Sequence, residues 1–561
     1  AAGRIHSTDT GEDVGAPATI KACRHTLAIL PPPGGARVPR ADEGRPRPSQ
    51  PAGGGTPPAS LRDADAVILE IPARALLRHE PAIVSNFKIN IPRALDPLAP
   101  PPASPAEPWL GAAVDLGTTT VALLLCDLRT GAVLATASAF NAQVSHGEDV
   151  LTRVNLCASD PQKNLPVLQA AAAGTIQQLL EKACAAASAG IALVRSLVVA
   201  GNTVMLHLLA GVDPSPIGIY PFTPPFLEHR RLAPAALGLS FGGSAAPVPQ
   251  SAASASPASA AASPLSPQPS AFPGGAEVHL LPSPAAYVGA DLSAGILVTG
   301  LLHDDGPALL VDVGTNGEII LKHGPRLLGC ATAAGPAFEG AGLTSGMRAV
   351  DGVIEDIRFS RDPFAQKLSL IGGEKNTGDR RPVGICGSAY VDFLAEGRRS
   401  GLLNERGRFA SPPPPGAEAS LVAHDGGRAF VLDPRGRSGP VLVSEHDIAR
   451  LLQAKAAVAA GITTLLGIAG LAPADIRALR LAGGFGMHLD LANAIACGLL
   501  PGFEPAQIEV VGNTSLGGAL AVLQDRELLP EIARACGLME SVELNLQPGF
   551  EDTYIDQLAL L

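Results

Sequence analysis

The sequence predicts an α/β protein of two similar lobes, and three observations carry that reading. Two Asp-x-Gly-Thr turns, at Asp115 and Asp312, each follow an apolar run and each open a three-strand meander. Both halves continue with helical sequence and then a short β-rich run that closes on glycine. Both finish with a helix that opens on small residues.

The first turn reads Val114-Asp115-Leu-Gly117-Thr118-Thr119-Thr120 and runs into strand-like residues 121–126, a turn at 129–131 and a further strand at 132–137. The second reads Val311-Asp312-Val-Gly314-Thr315-Asn316-Gly317, followed by strands at 318–322 and 326–330 around a turn at 323–325. The glycine-closed runs are Leu197-Val-Val-Ala-Gly201-Asn202-Thr203 and Leu481-Ala482-Gly483-Gly484-Phe485-Gly486. The small-residue helices begin near Gly289 and near Asn513-Thr-Ser515-Leu-Gly517-Gly518. Pro- and Gly-rich residues 31–60 read as a linker, and the Ala/Ser/Pro segment 242–275 as a surface insertion. Further loops are expected at 412–416 and 434–440, and residues 361–381 read as polar and irregular.

At 561 residues the chain can bury two or three cores. Hydrophobic residues make up 46% and charged residues 17%, and because Ala and Gly carry much of the apolar excess, tight packing by small residues is expected. A formal net charge of −11 leaves no basic stripe for a phosphate backbone, which argues against nucleic acid and equally against an anionic membrane as partner. Eight cysteines without a CxxC pair suggest neither a zinc knuckle nor a disulfide framework, and fit a reducing cytoplasm. The N-terminus lacks both the apolar core of a signal peptide and an initiator Met, so the chain reads as a cytoplasmic fragment. Residues 456–474 have the length of a membrane span, but their Ala, Gly and Thr content reads as a buried helix.

An Asp at a strand end followed by Gly-Thr has a physical use. Glycine lets the backbone approach an anion, hydroxyls and amides donate to its oxygens, and the carboxylate holds a hydrated Mg²⁺. A single such turn is more often an ordinary turn. Two of them at equivalent places can hold the phosphates of one nucleotide from both sides. Gly483-Gly484 after a strand would let an adenosine lie against bare backbone.

The order of phosphate loop, connecting helix, second phosphate loop, adenosine loop and second connecting helix resembles the acetate and sugar kinase/Hsc70/actin superfamily. Within it, the strings around Asp115, Asn141-Ala-Gln143, Gly147-Glu-Asp149, Gly201-Asn202-Thr-Val-Met205-Leu-His207 and Pro221-Phe222 look like the first half of the ATP-dependent reductive activators of corrinoid proteins. Those around Asp312 and Glu318, Gly335-Pro-Ala-Phe338-Glu339-Gly340, Gly384-Ile-Cys386-Gly-Ser388, Gly483 to Gly486 and Asn513 to Ala519 are similar to its second half, and coverage runs from about 110 to 549.

The resemblance implies two ribonuclease-H-like lobes of the actin/Hsc70 type around an ATP cleft. It also implies ATP hydrolysis that assists transfer of a low-potential electron to the cob(II)alamin protein of a methyltransferase system, and it admits a homodimer. The family's electron donor is an N-terminal ferredoxin-like domain with a 2Fe–2S cluster. Upstream of Leu110 only Cys23 occurs here, and one thiolate cannot ligate a cluster that needs four, so a separate or missing donor is expected. The expected division is a mostly disordered segment and linker at 1–60, a small middle-domain remnant at 61–109, a first lobe at 110–303 with a disordered insertion at 242–275, a second lobe at 304–549 and a tail at 550–561.

On this reading Gly117, Thr118, Thr119, Gly314, Thr315 and Asn316 meet the phosphates, while Asp115 and Asp312 position Mg²⁺ and water. Glu339 is a further catalytic carboxylate, and Gly335, Gly483, Gly484, Phe485 and Asn513 border the nucleotide. Glu318 and Glu339 read equally well as capping carboxylates, Cys330 and Cys386 as small buried hydrophobes, and His207 and His488 as packed helix-face residues. Rival functions are a small-molecule kinase of the same superfamily, an ATP-driven switch or binding module, and a degenerate partner subunit.

Overall fold

The computed structural model describes residues 109–242, 275–372 and 381–561. The segments expected at 1–60 and 61–109, Trp109 apart, and the interior of the 242–275 insertion lie outside these residues.

Strands β1 (Leu110–Leu116), β2 (Thr120–Asp127) and β3 (Val133–Phe140) form the first meander, and β4 (Val194–Gly201), β5 (Arg230–Leu232) and β6 (Glu277–Leu280) extend it in the order β3-β2-β1-β4-β6-β5. Strand β1 is apolar up to Asp115 near its carboxyl end, because both of its faces are covered, and it pairs in parallel with β4. Helices α1 (Val150–Ser159), α2 (Pro161–Ala186), α3 (Thr203–Ala210) and α4 (Ala290–Thr299) complete this part. Asp149, Asp160 and Asn202 each cap a helix start with a side-chain oxygen.

The second meander is β7 (Ala308–Val313), β8 (Gly317–His323) and β9 (Arg326–Thr332). Two small sheets follow, from β10 (Val353–Arg361), β11 (Phe364–Leu370) and β12 (Gly384–Ile385), and from β13 (Leu421–His424), β14 (Gly427–Asp433) and β15 (Val441–Ser444). Around them stand α5 (Gly387–Ser400), α6 (Glu445–Ala469), β16 (Ala478–Ala482), α7 (Leu491–Ala496), β17 (Ile508–Gly512), α8 (Thr514–Gln524), α9 (Leu529–Leu538), β18 (Met539–Ser541) and α10 (Phe550–Asp556). The large sheet runs β17-β16-β7-β8-β9-β18, and β16 lies parallel to β7 as β4 lies parallel to β1. The duplication read in the sequence is thus a duplication of sheet topology.

Three expectations change. Residues 361–381 are not wholly irregular: β10 and β11 form a hairpin with Arg361 opposite Phe364, and Phe364 stacks on Phe359 of the second core. The end of the chain is not a free tail, since Leu560 is buried, its amide donates to Glu405 O at 2.7 Å, and buried Lys455 donates to Ala559 O at 2.6 Å. Nor do the lobes divide cleanly at 303. Leu516, Ala519 and Leu520 of α8 belong to the first core, while Leu292 and Ile296 of α4 pack with Leu310 and Ile320 of the second sheet. The two helices cross where a Cβ on Gly518 would come within 2.4 Å of Ala294 O, so only bare backbone fits there. Each lobe therefore buries a helix that the other half of the sequence supplies.

Helix α6 starts with a capping box at Ser444 and Asp447 and stops at left-handed Gly470. Among the described residues it alone is long and apolar enough to cross a membrane, but 72% of its most apolar stretch is buried, and it serves as a core helix.

His207 is likewise a packing residue. Its Nδ1 donates to Thr203 O at 2.7 Å, its Nε2 accepts from Phe226 N at 3.3 Å, and its ring stacks on Phe226 at 4.0 Å. Burial pushes its pKa down from 6.5 to about 4. The unfolded chain therefore takes up a proton that the folded imidazole refuses, and stability falls as pH drops from 6.5 towards 4. Between pH 7 and 5 His207 is expected to cost about 2 kcal/mol. His229, also pushed down to about 4 by burial, adds to the same slope. The readout is therefore the difference in denaturant midpoints between wild type and His207→Gln at the two pH values, with the smaller loss expected in the variant.

Candidate active site

Both Asp-x-Gly-Thr turns stand at the carboxyl ends of parallel strands, the edge at which open α/β sheets bind ligands. They are built alike. Gly117 N donates to Thr120 O at 3.0 Å in the first, and Gly314 N donates to Asn316 O at 2.9 Å in the second. They also meet, because the Thr119 and Thr315 hydroxyls hydrogen-bond at 2.9 Å. The Thr118 hydroxyl accepts from Asn202 Nδ2 at 2.9 Å, and its carbonyl accepts from the buried Arg153 at 2.6 Å. Asn316 bonds to Glu318, which faces Asp312 across the ladder from β7 to β8.

Five carboxylates converge behind the turns. Asp115 accepts from Asn513 Nδ2 and from Ser515 Oγ, each at 2.7 Å, so the start of α8 orients both of its oxygens. Burial nevertheless raises its pKa. Asp312 is pushed up to about 8 by burial and by its neighbours Asp291, Asp115 and Glu339. Asp291, at the start of α4, reaches about 7, chiefly by burial and then through Asp115. Burial also raises Glu318 and Glu339. Glu339 Oε1 accepts from the Thr315 hydroxyl at 2.9 Å, while buried Oε2 has no partner.

Gly483 sits directly against the second turn. Its φ is +92°, and a Cβ there would lie 2.5 Å from Val313 O and 2.9 Å from Asp312 Oδ1. Gly484 has a right-handed helical backbone, and Phe485 beside it stacks on Phe338 at 4.9 Å. Gly335, at φ +73°, faces open space. Of the residues expected from sequence, Thr119 and Thr315, Asp115 and Asn513, and Asp312 and Gly483 thus meet in pairs. Sequence reasoning missed Asp291, Ser515, Asn202 and Arg153; Ser515 and Asn202 lie inside strings that carried the resemblance and Asp291 in the small-residue helix that begins near Gly289, yet nothing in linear order shows that they turn inward.

These residues fit a magnesium nucleotide. Mutually repelling, largely part-buried carboxylates and an unpartnered Glu339 oxygen favour a cation nearby. Among the described residues no group of three or more His, Cys, Asp or Glu side chains is set to enclose a metal, and Mg²⁺ is an ion that keeps water and phosphate ligands. The seven cysteines of the described residues are free thiols, six of them buried, and they form no group of three or more metal-ligating side chains. Burial raises the thiol pKa of Cys330 and Cys386, so both behave as small hydrophobes.

Residues 306–561 match the family profile described as the C-terminal domain of RACo, the ASKHA domain, and residues 110–254 match the RACo middle region. The corrinoid activation enzyme RamQ of Eubacterium limosum is 30% identical over 458 residues, which are 80% of this chain and 70% of that protein. The Co(II) methylated amine-specific corrinoid protein reductase of Methanosarcina barkeri is 28% identical over 270 residues, 46% of each protein. A solved structure of a reductive activator for a corrinoid, iron-sulfur protein superposes with a TM-score of 0.70 at 32% identity, over 82% of this chain and 67% of that one. With its two meanders, its exchanged helices and its paired turns, the chain belongs to the family of reductive activators of corrinoid proteins.

Proposed function

We propose that this chain binds Mg-ATP between the two turns and uses its hydrolysis to assist reduction of a corrinoid protein from cob(II)alamin to cob(I)alamin. The observation that carries the reading is the apposition of the two turns through Thr119 and Thr315 beside a cluster of part-buried carboxylates. Thr118, Thr119 and Thr315 donate hydroxyls to phosphate oxygens, and Gly117 and Gly314 let the two turns approach them. Asp115, fixed by Asn513 and Ser515, and Asp312 hold the hydrated Mg²⁺. When bound, Mg²⁺ neutralises charge that develops on the phosphates. Asp312 and Glu339 orient water for attack, while Gly484, Phe485 and Asn513 border the nucleoside. The single electron comes from a low-potential donor with its own iron-sulfur cluster.

The test is phosphate release by the purified chain with Mg²⁺, with and without a cob(II)alamin protein and a separate low-potential reductant. Stimulated hydrolysis together with the cob(I)alamin absorbance band is the expected result. Hydrolysis indifferent to the corrinoid protein would favour the kinase or switch instead.

A further inference from the structure

Arg348 lies on the segment that follows Glu339, and its side chain leaves its own lobe. The guanidinium donates to Thr120 Oγ1 and lies over the Phe140 ring, 3.7 Å from the centroid. Thr120 opens β2, Phe140 closes β3, and the two stand opposite one another in the first meander. The point of contact is one residue from Thr119, which already touches Thr315 of the second turn.

The segment behind Arg348 is held firmly. Gly340 N donates to Ala337 O at 3.0 Å, Gly346 N to Leu343 O at 3.1 Å and Met347 N to Ile385 O at 2.9 Å. A Cβ on Gly346 would lie 2.0 Å from Gly340 O, so the segment closes backbone against backbone. Glu339, at its other end, attracts Arg348 and also accepts from Thr315. Arg153 provides a contrast: it is wholly buried, and it spends its nitrogens inside the first lobe on Thr118 O, Gln143 Oε1 and Gly147 O. Arg348 is only partly buried, and it bridges the lobes.

We propose that Arg348 is a positioning residue that clasps the two phosphate turns across the cleft and sets the lobe closure in which a nucleoside triphosphate is held. The proposal rests on the reading of the cleft as a Mg-ATP site. A guanidinium suits the task because its fork bonds the hydroxyl while its flat face covers the aromatic ring, a geometry that the compact ammonium matches less well. It also brings positive charge to an acidic cleft beside the place where phosphates would lie.

Arg348→Ala is expected to speed amide exchange at residues 117–120 and 314–317 of the nucleotide-free chain about tenfold, and to weaken binding of the non-hydrolysable analogue AMPPNP about tenfold, with circular dichroism unchanged. Arg348→Lys should restore less than half of either loss. Phe140→Ala, at an exposed ring whose removal costs little folding stability, should raise the same exchange about threefold. Unchanged exchange in both Arg348→Ala and Phe140→Ala, or full rescue by Lys, would overturn the clasp. If wild type binds no AMPPNP, the nucleotide reading fails, and exchange in the nucleotide-free protein still decides the clasp.

Discussion

Asp312→Asn is expected to lower Mg-ATP hydrolysis by about 10³-fold while leaving AMPPNP affinity within about tenfold of wild type, because the amide keeps the shape of the carboxylate but can neither hold the cation's charge nor accept a proton from water. Steady-state phosphate release and calorimetric titration of the analogue measure the two halves of this expectation. The same substitution should raise the melting temperature of the nucleotide-free chain. Asp312 is held among Asp115, Asp291 and Glu339, which together with burial push its carboxyl up to about 8, and a neutral isostere removes that repulsion. A gain of about 1 kcal/mol corresponds to roughly 2–4 °C for a domain of this kind. A site that loses its rate and gains stability on one isosteric change is organised for charge rather than for folding. Undiminished hydrolysis in the variant would remove Asp312 from the mechanism.

Gly483→Ala is expected to destabilise the second lobe by about 2–3 kcal/mol and to remove most of the hydrolysis as well. The methyl group would meet Val313 O at 2.5 Å and Asp312 Oδ1 at 2.9 Å, at a backbone φ of +92° that side-chain-bearing residues rarely adopt. Neither neighbour can yield freely, because Val313 ends a central strand and Asp312 is packed among the other carboxylates. Gly484→Ala is the control. Its right-handed backbone carries no such strain, so it should fold with near wild-type stability and report only on contact with the nucleoside. Denaturant midpoints and phosphate release separate the two variants. Equal stability of both would mean that the strand end relaxes around a Cβ.

Much of the architecture was legible because its signals are local. An apolar run that ends in Asp-x-Gly-Thr specifies a buried strand and a tight turn, and finding that pattern twice announces a duplicated lobe. The hairpin of β10 and β11 was not legible, since polar residues on its outer face masked the few apolar ones, Phe364 and Leu368, that pack inward. The role of Gly483 was read only in part: the glycine was recognised, but the atoms it must avoid belong to a strand about 170 residues earlier. Asp291 lay inside a noticed string, and only its position facing Asp115 gives it meaning.

By itself, the amino-acid sequence determined the two meanders, the two turns, the order of their loops and the residue types able to meet phosphate and magnesium, because strand periodicity and turn chemistry act over a few residues. Tertiary structure alone decided that α8 folds onto the first sheet and α4 against the second, that Asn513 and Ser515 hold Asp115 from nearly 400 positions away, and that Arg348 crosses to Thr120 and Phe140. Those contacts arise when two amphipathic lobes bury their remaining apolar faces against each other's helices, a choice made by packing across the whole chain and written in no single stretch of it.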